Sequence, residues 1–357
     1  MIALSLLSAA GLVLGFLLLV RVPLCPARAE GPVPACSIII PARDEARTLP
    51  RLLTSINNSA LRGVETVVVD DHSTDETPSI AVSRGARVVA APPLKPGWTG
   101  KTSACVAGAS AAERDLLLFL DADTYFEPDG LKKLLHAFVA VSSDSAALSV
   151  LPFHVTLMLY EEFSLFFNLL MAFGAGGFGL LGRGRLFGQS LLLRRELYRR
   201  SGSHQSVSAE ILENFSLATR IEDAGGRCVC LGGRGALHMR MFPDGFGQLC
   251  QGWMKAFASG AAASGPLILL AGVAWLSILC CVFLWLLLAS GTARAIPAVF
   301  YVSFALQIAW FASQVGSFRW YTSLLYPVPL LFFFAVFARS FERRVRRRPV
   351  TWKGRQV

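Results

Sequence analysis

The sequence predicts an α/β protein with a mostly parallel sheet, flanked by N-terminal and C-terminal transmembrane helices. Two observations support this fold class. Between residues 35 and 120, short apolar runs alternate with stretches of helical pattern, which is typical of βαβ units. In addition, 54% of the 357 residues are hydrophobic and the mean hydropathy is +0.51, with the excess concentrated at the two ends. A soluble domain of this size is rarely so apolar, so we expect a soluble middle domain between membrane segments.

One buried strand of the middle domain is predicted to end on a pair of acids. The uncharged run Leu116–Leu120 stops at Asp121 and Asp123, and a short apolar run of this kind is typical of a strand covered on both faces. Ligands of open α/β sheets bind beyond the carboxyl ends of such strands. Two neighbouring carboxylates repel each other unless a cation lies between them, and Mg²⁺ and Mn²⁺ prefer oxygen ligands. A metal site and a solvated acidic turn are both compatible with this stretch.

The strands before this one provide a second acidic end. Asp70 and Asp71 follow an apolar run and would face the same crevice as Asp121 and Asp123, because the strands are parallel. Helices are expected after the first strand, through Ile80–Arg84 and up to Ala111. The predicted strands are Cys36–Ile40, Thr66–Val69, Ala86–Ala90 and Leu116–Leu120.

The N-terminal segment has the length of a membrane span. Met1–Val20 carries no charged side chain, and about 20 apolar residues cross the hydrocarbon core. A cleaved signal peptide is the alternative, because residues 27–29 mimic a cleavage site. The segment lacks the basic start of a signal peptide, so we expect an uncleaved anchor over residues 1–22, with the following chain on the cytoplasmic side.

The C-terminal part is expected to form membrane helices within residues 264–338, followed by a basic cytoplasmic tail, residues 339–357. If all three apolar stretches span, the tail lies outside, against the positive-inside tendency. Either one stretch is re-entrant or kinked, with Pro327 and Pro329 in the last, or the tendency does not hold here. The apolar stretches are Gly265–Ala289, Ile296–Phe318 and Trp320–Ala338.

Charge and localisation follow from the same segments. The net charge is +10, and the tail is rich in arginine. Such a juxtamembrane cluster predicts binding to anionic lipid, so no nucleic-acid partner is expected. We expect a multi-pass protein of the cell membrane.

The middle segment Phe163–Gly182 is uncharged and long enough to span. A span there would put Asp123 and the later polar segment on opposite sides of the membrane. We therefore expect a pair of interfacial helices over residues 156–182. The glycines of this segment, among them Gly174 and Gly176, argue against one regular helix.

The cysteine pattern indicates no structural zinc. The chain has eight cysteines but no C-x-x-C pair, and Cys228 and Cys230 are too close together for a usual zinc site. We expect free thiols in a reducing compartment.

Several segments resemble the successive blocks of family 2 glycosyltransferases, which have the GT-A fold. The loop and tail "PPLKPGWTGKTSAC" and "VTWKGR" are similar to a membrane-bound subgroup that includes carotenoid-acid and hopanoid-associated glycosyltransferases. The resemblance covers residues 35–260 and the tail, and implies a GT-A domain over 35–260 that includes the segment 156–182. The family blocks are "SIIIPARDEARTLPRLLTSI", "VVVDDHSTDET", "LLFLDADTYFEPD" and "FGQSLLLRRELYRRSG".

The resemblance implies a nucleotide-sugar donor. The residues that match the nucleotide pocket by position are Pro41, Arg43 and Glu45, and those that match the uracil and ribose contacts are Asp70 and Asp71. Carboxylates accept hydrogen bonds from an imide N–H or from ribose hydroxyls. A solvated helix-start acid is the alternative role for Glu45, and an Asx turn is the alternative for Asp71.

The resemblance also implies a divalent metal, Mg²⁺ or Mn²⁺, between the protein and the diphosphate. Asp121 matches a ribose or metal contact, and Asp123 matches the metal ligand. His238 and Arg240 are candidates for the metal and the phosphates, although a lone histidine is more often structural. Such an ion stabilises the departing nucleoside diphosphate as a Lewis acid.

The segment "GWTGKT" superficially resembles a P-loop, G-x-x-x-x-G-K-[ST]. Its spacing excludes that motif, because only two residues separate Gly97 from Gly100 and Lys95 occupies the place of the first glycine. Lys101 is expected to meet the diphosphate at a helix start, where backbone N–H groups favour anions. A surface lysine is the alternative.

The catalytic base departs from the family pattern. Inverting members carry a Glu-Asp pair before a segment like "LATRI", whereas this chain has Glu213 followed by Asn214. An amide cannot accept a proton as a general base. Either Glu213 or Glu210 serves as base, or the acceptor is a carboxylic acid that is already ionised and needs none, or activity has been lost.

The sequence therefore predicts an inverting glycosyltransferase that moves one hexose, with UDP-glucose as the expected donor, to a lipid acceptor such as a carotenoid acid. The processive motif Q-x-x-R-W is absent around Trp253, which indicates transfer of a single sugar. Trp253 is expected to contact the acceptor, with an interfacial tryptophan as the alternative. A catalytically silent membrane protein that binds nucleotide sugar or lipid is the alternative function.

Overall fold

The computed structural model describes residues 1–28, 30–141, 144–175, 177–181, 185–210, 213–263, 265–345, 351–352 and 355–356. The chain divides into two compact units, which we call the helical unit and the sheet unit. The helical unit contains Met1–Val22, His154–Arg183 and Phe242–Val357, and the sheet unit contains Pro23–Phe153 and Gly184–Met241.

Strands and helices alternate through the first half of the chain, as the sequence predicts. The strands are β1 (Cys36–Ala42), β2 (Val64–Asp70), β3 (Arg87–Ala90), β4 (Leu116–Leu120), β5 (Thr124–Phe126), β6 (Ala146–Leu151), β7 (Phe153–His154), β8 (Ser190–Arg194), β9 (Arg227–Gly232), β10 (Leu237–Met239), β11 (Thr351–Trp352) and β12 (Arg355–Gln356). The α-helices are α1 (Ile2–Leu18), α2 (Leu49–Asn58), α3 (Thr77–Ser83), α4 (Gly100–Ala111), α5 (Gly130–Ala140), α6 (Leu165–Gly174), α7 (Arg195–Arg200), α8 (Glu213–Asp223), α9 (Phe246–Ala263), α10 (Pro266–Leu288), α11 (Ala295–Val315), α12 (Trp320–Leu324) and α13 (Pro327–Val345).

The sheet unit is organised around a seven-stranded sheet with the strand order β3-β2-β1-β4-β8-β6-β9. Strand β8 runs antiparallel to both β4 and β6, and the other neighbouring pairs are parallel. The predicted mostly parallel α/β sheet is therefore confirmed. The predicted strand Leu116–Leu120 is present with the same bounds.

Both faces of the sheet are buried, which explains the continuous apolar strands. Ile38 and Ile40 pack into one core together with Leu118, while Ile39 and Leu117 pack into the core on the opposite face. Alternate residues of a strand point to opposite faces, so a strand covered on both sides needs apolar residues throughout.

The residues of the expected range 35–260 are divided between the two units. The chain leaves the sheet unit at His154, returns after residue 183, and leaves it again at Phe242. Within the expected interfacial segment 156–182, the described residues form a 3₁₀ helix, Leu159–Ser164, followed by α6, and their place at the membrane surface stays a prediction. Eight of the ten α6 residues are buried, because a helix that is apolar on all sides packs inside a protein.

The glycines after α6 allow the chain to pass close to α1. Helix α6 ends at Gly174, as the glycine-rich composition predicts, whereas Gly176 and Gly182 lie outside the described residues. A Cβ atom added to Gly179 would lie 2.3 Å from the carbonyl oxygens of Leu17 and Leu18. Glycine is therefore required where this backbone meets the end of α1.

Within the described residues, two helices are long and apolar enough to cross a membrane, Pro266–Leu288 and Gly291–Val315. Helix α1 is apolar but has only 17 residues. The third predicted C-terminal stretch is divided into α12 and α13 at the residues before Pro327, as expected for a kinked segment, because proline cannot continue a preceding helix. The basic tail begins on α13 with Arg339, and its residues 346–350, 353, 354 and 357 lie outside the described residues.

Helix α1 packs against α10 and α11 through small residues and polar bonds. The Gln307 side chain, which is buried, donates from Nε2 to the Leu12 carbonyl oxygen at 2.7 Å and accepts from the Trp275 indole N–H at 3.0 Å. A Cβ atom added to Gly15 would lie 2.5 Å from Gln307 Oε1. Small residues and interhelical hydrogen bonds of this kind are what hold apolar helices together.

We predict that Gly15→Ala destabilises the helical unit by about 1–3 kcal/mol, although alanine favours helices, because the added methyl group overpacks this contact. Gly247→Ala is the matched control, since Gly247 is helical and exposed and its added Cβ meets nothing within 4 Å. Thermal unfolding of both variants in detergent measures the difference. An equal or higher Tm for Gly15→Ala would contradict the packing described above.

Candidate active site

The acidic residues predicted to converge lie at the carboxyl ends of neighbouring parallel strands. Asp70 is the last residue of β2, and Asp121 directly follows β4. Both strands pair with β1 in parallel, so their carboxyl ends lie at the same edge of the sheet. The Asp71 N–H donates to the Ala42 carbonyl oxygen at 2.8 Å and thereby links the ends of β1 and β2.

The structure brings the predicted nucleotide-pocket residues together at the ends of β1 and β2. Pro41 pairs in register with Val69, and Arg43 donates from Nη1 to the carbonyl oxygen of Asp71 at 2.9 Å. The Glu45 N–H donates to the Thr77 hydroxyl at 2.8 Å. These contacts join the loop after β1 to the loop after β2.

The structure bears on the alternative roles considered for these acids. Glu45 lies before α2, which begins at Leu49, so it is not a first-turn helix acid. The turn after β2 uses the Asp70 carboxylate, which accepts from the Ser73 N–H at 3.2 Å. Asp70 thus supplies a side-chain acceptor to this turn, and the Asp71 side chain is buried.

Lys101 connects the acidic end of β4 to the start of α8. Its Nζ atom lies 2.7 Å from Asp121 Oδ1 and 2.8 Å from Glu213 Oε1, and donates to the Gly188 carbonyl oxygen at 2.9 Å. An ammonium group has three N–H donors, so these three acceptors satisfy it. Burial lowers the pKa of Lys101, but the Asp121 and Glu213 carboxylates outweigh it and raise that pKa, which keeps the lysine charged. Lys101 lies at the helix start, as expected, and its ammonium is bound there by protein atoms.

Glu213, the first residue of α8, is 3% exposed. Burial raises the pKa of Glu213, the Lys101 charge lowers it, and the Asp121 charge raises it, with a net increase. Glu210, the other candidate base, is exposed. The ion pair with Lys101 therefore links Glu213, and not Glu210, to the acidic end of β4.

Asn214 is built into the protein interior. Its amide is 2% exposed and donates from Nδ2 to the Phe187 carbonyl oxygen at 2.8 Å. The Phe187 N–H in turn donates to the Ser149 hydroxyl at 2.7 Å. Asn214 therefore fixes the backbone just before Gly188, the residue whose carbonyl oxygen accepts from Lys101.

A buried histidine lies behind this amide. His204 is 1% exposed, and its Nδ1 atom lies 2.9 Å from the Tyr198 hydroxyl, which also accepts from the His204 N–H. Burial and the Lys101 charge lower the pKa of His204 to about 3, against a hydrogen bond with Asn214 that raises it. The imidazole is therefore neutral.

The predicted metal ligands are not assembled as a set of three. Among the residues that the structure describes, no group of three His, Cys, Asp or Glu side chains is placed to hold one ion. The physical reason at Asp121 is its ion pair with Lys101. Mg²⁺ and Mn²⁺ are often bound by one or two protein ligands together with substrate phosphates. Whether the site suits such an ion therefore depends on Asp123 and His238.

His238 has the arrangement of a metal-binding histidine. It lies on β10 opposite Tyr125 of β5, the strand that begins directly after Asp123. Its Nδ1 atom is 3.0 Å from Glu127 Oε1, and its buried Nε2 atom has no hydrogen-bond partner. Burial lowers the pKa of His238, Glu127 raises it and Arg51 lowers it further, with a net decrease. A neutral imidazole oriented by a carboxylate presents a free lone pair to a metal, so Asp123 and His238 fit an ion that is shared with a diphosphate.

Trp253 does not have the predicted contact surface for an acceptor. The residue belongs to the helical unit and is 2% exposed. Its indole N–H donates to the Ser164 hydroxyl at 3.0 Å, and its ring stacks on Phe167 with a centroid distance of 4.6 Å. Burial of both the ring and its polar atom assigns Trp253 a packing role, because a buried indole needs both apolar contact and a hydrogen-bond acceptor.

The sequence did not reveal the functions of Gly188, Ser208 and His204. Gly188 contributes a backbone carbonyl, and no residue type marks a carbonyl that will accept from a lysine. Ser208 acts through its carbonyl as well, which accepts from the Thr99 N–H at 2.8 Å. His204 could have been suspected as a titratable residue in the same block as Glu213, but its burial depends on the tertiary fold.

We predict that Asn214→Asp lowers stability by about 1–3 kcal/mol and does not raise activity, because a carboxylate cannot donate to the Phe187 carbonyl oxygen. Asn57→Asp is the matched control, since the exposed Asn57 amide donates to the Arg84 carbonyl oxygen at 2.9 Å. Thermal unfolding at pH 7 compares the two. A gain of activity in Asn214→Asp would show that the position tolerates a base.

We predict that His204 makes the protein acid-sensitive. Its pKa of about 3 in the folded state is below the unfolded value of about 6.5, so the unfolded chain binds more protons between these values. The free energy of unfolding is therefore independent of His204 titration above about pH 6.5. It falls as the pH decreases toward 3, by up to about 1.4 kcal/mol per pH unit. His204→Gln keeps a hydrogen-bonding partner for Tyr198 without titrating, so its Tm is expected to fall less than the wild-type Tm between pH 7 and 5. Parallel Tm curves would contradict this.

Comparisons with known proteins identify a family and relatives that match most of the chain. The profile of glycosyl transferase family 2 matches residues 37–198. The 4,4'-diaponeurosporenoate glycosyltransferase of Staphylococcus aureus strain USA300 is 34% identical over 332 residues, which cover 90% of this chain and 88% of the relative. The enzyme of the same name from strain MRSA252 is 33% identical with the same coverage.

A solved structure shares the fold. A mannosyltransferase from Pyrobaculum calidifontis, in complex with GDP-Man and Mn²⁺, superposes with a TM-score of 0.53 and 19% identity, over 92% of this chain and 97% of that chain. At this identity the likeness concerns the fold alone. The motifs, the mostly parallel sheet and the full-length relatives together show that the chain belongs to glycosyltransferase family 2 and has a GT-A-like fold.

Proposed function

We propose that the protein transfers one hexose, with inversion, from a nucleotide sugar to a lipid that carries a carboxylate, such as a carotenoid acid. The observation that carries this proposal is that Glu213 and Asn214, at the position of the family's catalytic base, are both bound by other groups of the protein. The Asn214 amide is bonded to the Phe187 carbonyl oxygen, and the Glu213 carboxylate is paired with Lys101. A carboxylate acceptor needs no base, and the relatives' name refers to a carotenoid acid.

The reaction then involves no proton transfer. One oxygen of the acceptor carboxylate forms a bond to the anomeric carbon, as the bond from that carbon to the diphosphate oxygen breaks. The products are a glycosyl ester and a nucleoside diphosphate. An alcohol acceptor would instead have to lose a proton, for which a general base contributes about 10²–10⁴-fold in rate.

UDP-glucose is the proposed donor. Arg43, Glu45 and Asp71 are linked by the loops after β1 and β2, and Pro41 and Asp70 lie on the same paired strand ends. The carboxylates of Glu45, Asp70 and Asp71 can accept hydrogen bonds from an imide N–H and from ribose hydroxyls. The choice of glucose rests on the resemblance to the carotenoid-acid subgroup.

Mg²⁺ or Mn²⁺ is the proposed cofactor. Asp123, just before β5, and His238, on β10, would hold it. Asp121 and Arg240 lie close to these two residues in the sequence. When bound, the ion neutralises negative charge on the diphosphate. In the protein itself, Glu127 orients the His238 ring for this task.

The protein is proposed to be a multi-pass protein of the cell membrane, with the sheet unit on the cytoplasmic side. Helices α10 and α11 are long and apolar enough to span. The packing of α1 against both, through Gln307 and Gly15, supports an uncleaved N-terminal helix that remains part of the membrane region. A lipid acceptor is consistent with this location.

The experiment uses the full chain purified in detergent, with UDP-glucose, Mn²⁺ or Mg²⁺, and either a long-chain isoprenoid carboxylic acid or its alcohol analogue. We expect UDP release and a glycosyl ester with the acid. Asp123→Asn should lower the rate by roughly 100-fold, equivalent to about 3 kcal/mol. Glu213→Gln should keep transfer to the acid within about tenfold, because no base is needed.

Two outcomes separate the alternatives. Efficient transfer to the alcohol alone would exclude the carboxylate proposal and indicate Glu213 as base. Donor binding without UDP release for any acceptor in a crude lipid extract would favour a catalytically silent binding protein. A panel of other UDP- and GDP-sugars in the same assay tests the choice of glucose.

A further inference from the structure

We propose that Lys101 is a positioning residue, which fixes the Asp121 carboxylate and is itself held by Glu213, and that it is not a ligand of the diphosphate. On this proposal Glu213, at the position of the family's catalytic base, holds the active-site lysine in place. The inference rests on the proposed function, in which the acceptor needs no base. Its first support is that Asp121, Glu213 and the Gly188 carbonyl oxygen use the three donors of the Lys101 ammonium.

One backbone N–H group at the start of α4 is already bonded within the protein. The Thr99 hydroxyl caps the helix by accepting from the Thr102 N–H at 3.2 Å. An anion at a helix start needs free backbone N–H groups, and this side-chain cap occupies one of them. The spacing of the "GWTGKT" segment, which excludes a P-loop, agrees with this geometry.

The same segment is fastened to the chain that leads to Glu213. The Thr99 N–H donates to the Ser208 carbonyl oxygen at 2.8 Å, and the Thr102 hydroxyl donates to the same oxygen at 2.9 Å. Together with the Lys101–Glu213 pair, these bonds connect the start of α4 to the region before α8 on both sides of Glu210. The "GWTGKT" segment therefore orients the base position.

Burial makes the pair of Lys101 and Glu213 interdependent. Glu213 is 3% exposed, and Lys101 supplies the positive charge that its carboxylate contacts. Removing Lys101 alone would leave the buried Glu213 charge uncompensated, which is more harmful than removing both charges. The two side chains should therefore behave as one unit in a double-mutant cycle.

The backbone on both sides of Gly188 is held in place by hydrogen bonds. The neighbouring Phe187 carbonyl oxygen accepts from Asn214, and the Gln189 carbonyl oxygen accepts from the Asp121 N–H at 3.1 Å. Three successive carbonyl oxygens thus bind Asn214, Lys101 and the backbone of Asp121. This backbone segment sets the position of the lysine with respect to Asp121.

The test is a double-mutant cycle with Lys101→Met, Glu213→Gln and the combined variant, in the full chain without ligands. We expect the Tm loss of Lys101→Met to be largely relieved in the Glu213→Gln background, because the buried Glu213 carboxylate is then gone and the remaining Asp121 side chain is 27% exposed. Lys95→Met is the matched control, since Lys95 lies in the same loop with its ammonium 5.4 Å from the Trp98 ring centroid, and it should show additive effects with Glu213→Gln. Additive Tm losses for Lys101→Met would overturn the bridge.

The functional half of the test compares kcat/KM for the carboxylic-acid acceptor with metal-free UDP affinity, measured by calorimetry. We expect Lys101→Met to lower kcat/KM at least about tenfold with UDP affinity changed less than about threefold, and to be non-additive with Glu213→Gln. A tenfold or larger loss of UDP affinity, additive with Glu213→Gln, would identify Lys101 as a phosphate ligand. If the wild-type protein transfers no sugar, the proposed function fails, and the Tm cycle and UDP affinity still decide the role of Lys101.

Discussion

The bridge formed by the Lys101 ammonium is the interaction on which the candidate active site depends. It joins the carboxylate after β4 to the first residue of α8 and to the carbonyl oxygen of Gly188. Charges in a protein interior are tolerated only when they are paired and fully hydrogen-bonded. The three segments are therefore constrained together, and the negative charge of Asp121 and Glu213 is balanced in part before any donor or metal binds.

The antiparallel strand β8 makes this arrangement possible. It is inserted between β4 and β6, so the backbone that leads into it passes the carboxyl end of β4. That backbone exposes carbonyl oxygens, which neutral or positively charged donors satisfy. Asn214 is such a donor, whereas an aspartate would place a carboxylate against a carbonyl oxygen. The amide at position 214 thus has a defined structural partner, and it is compatible with an acceptor that is already ionised.

Polar contacts also define the packing of the helical unit. Helices α10 and α11 are apolar over most of their length, so burial of apolar surface does not by itself select one packing partner. Gln307 supplies polar bonds to Leu12 and Trp275, and Gly15 permits the close approach that these bonds require. Buried Glu162 accepts from the Thr322 hydroxyl at 2.6 Å and from the Arg319 N–H at 3.1 Å. Specific polar contacts within an apolar bundle therefore define its geometry.

The sequence by itself determined the alternation of strands and helices, the parallel sheet, the family and the convergence of Asp70, Asp71 and Asp121, because all of these follow from local hydrophobic patterns and short motifs. It could not determine that Lys101 meets Glu213, that Asn214 donates to Phe187, or that Trp253 is buried. These contacts join residues far apart in the chain, and burial is a property of the whole packing. The division of the range 35–260 between two units likewise depended on which apolar surfaces pack together, which only the tertiary structure decided.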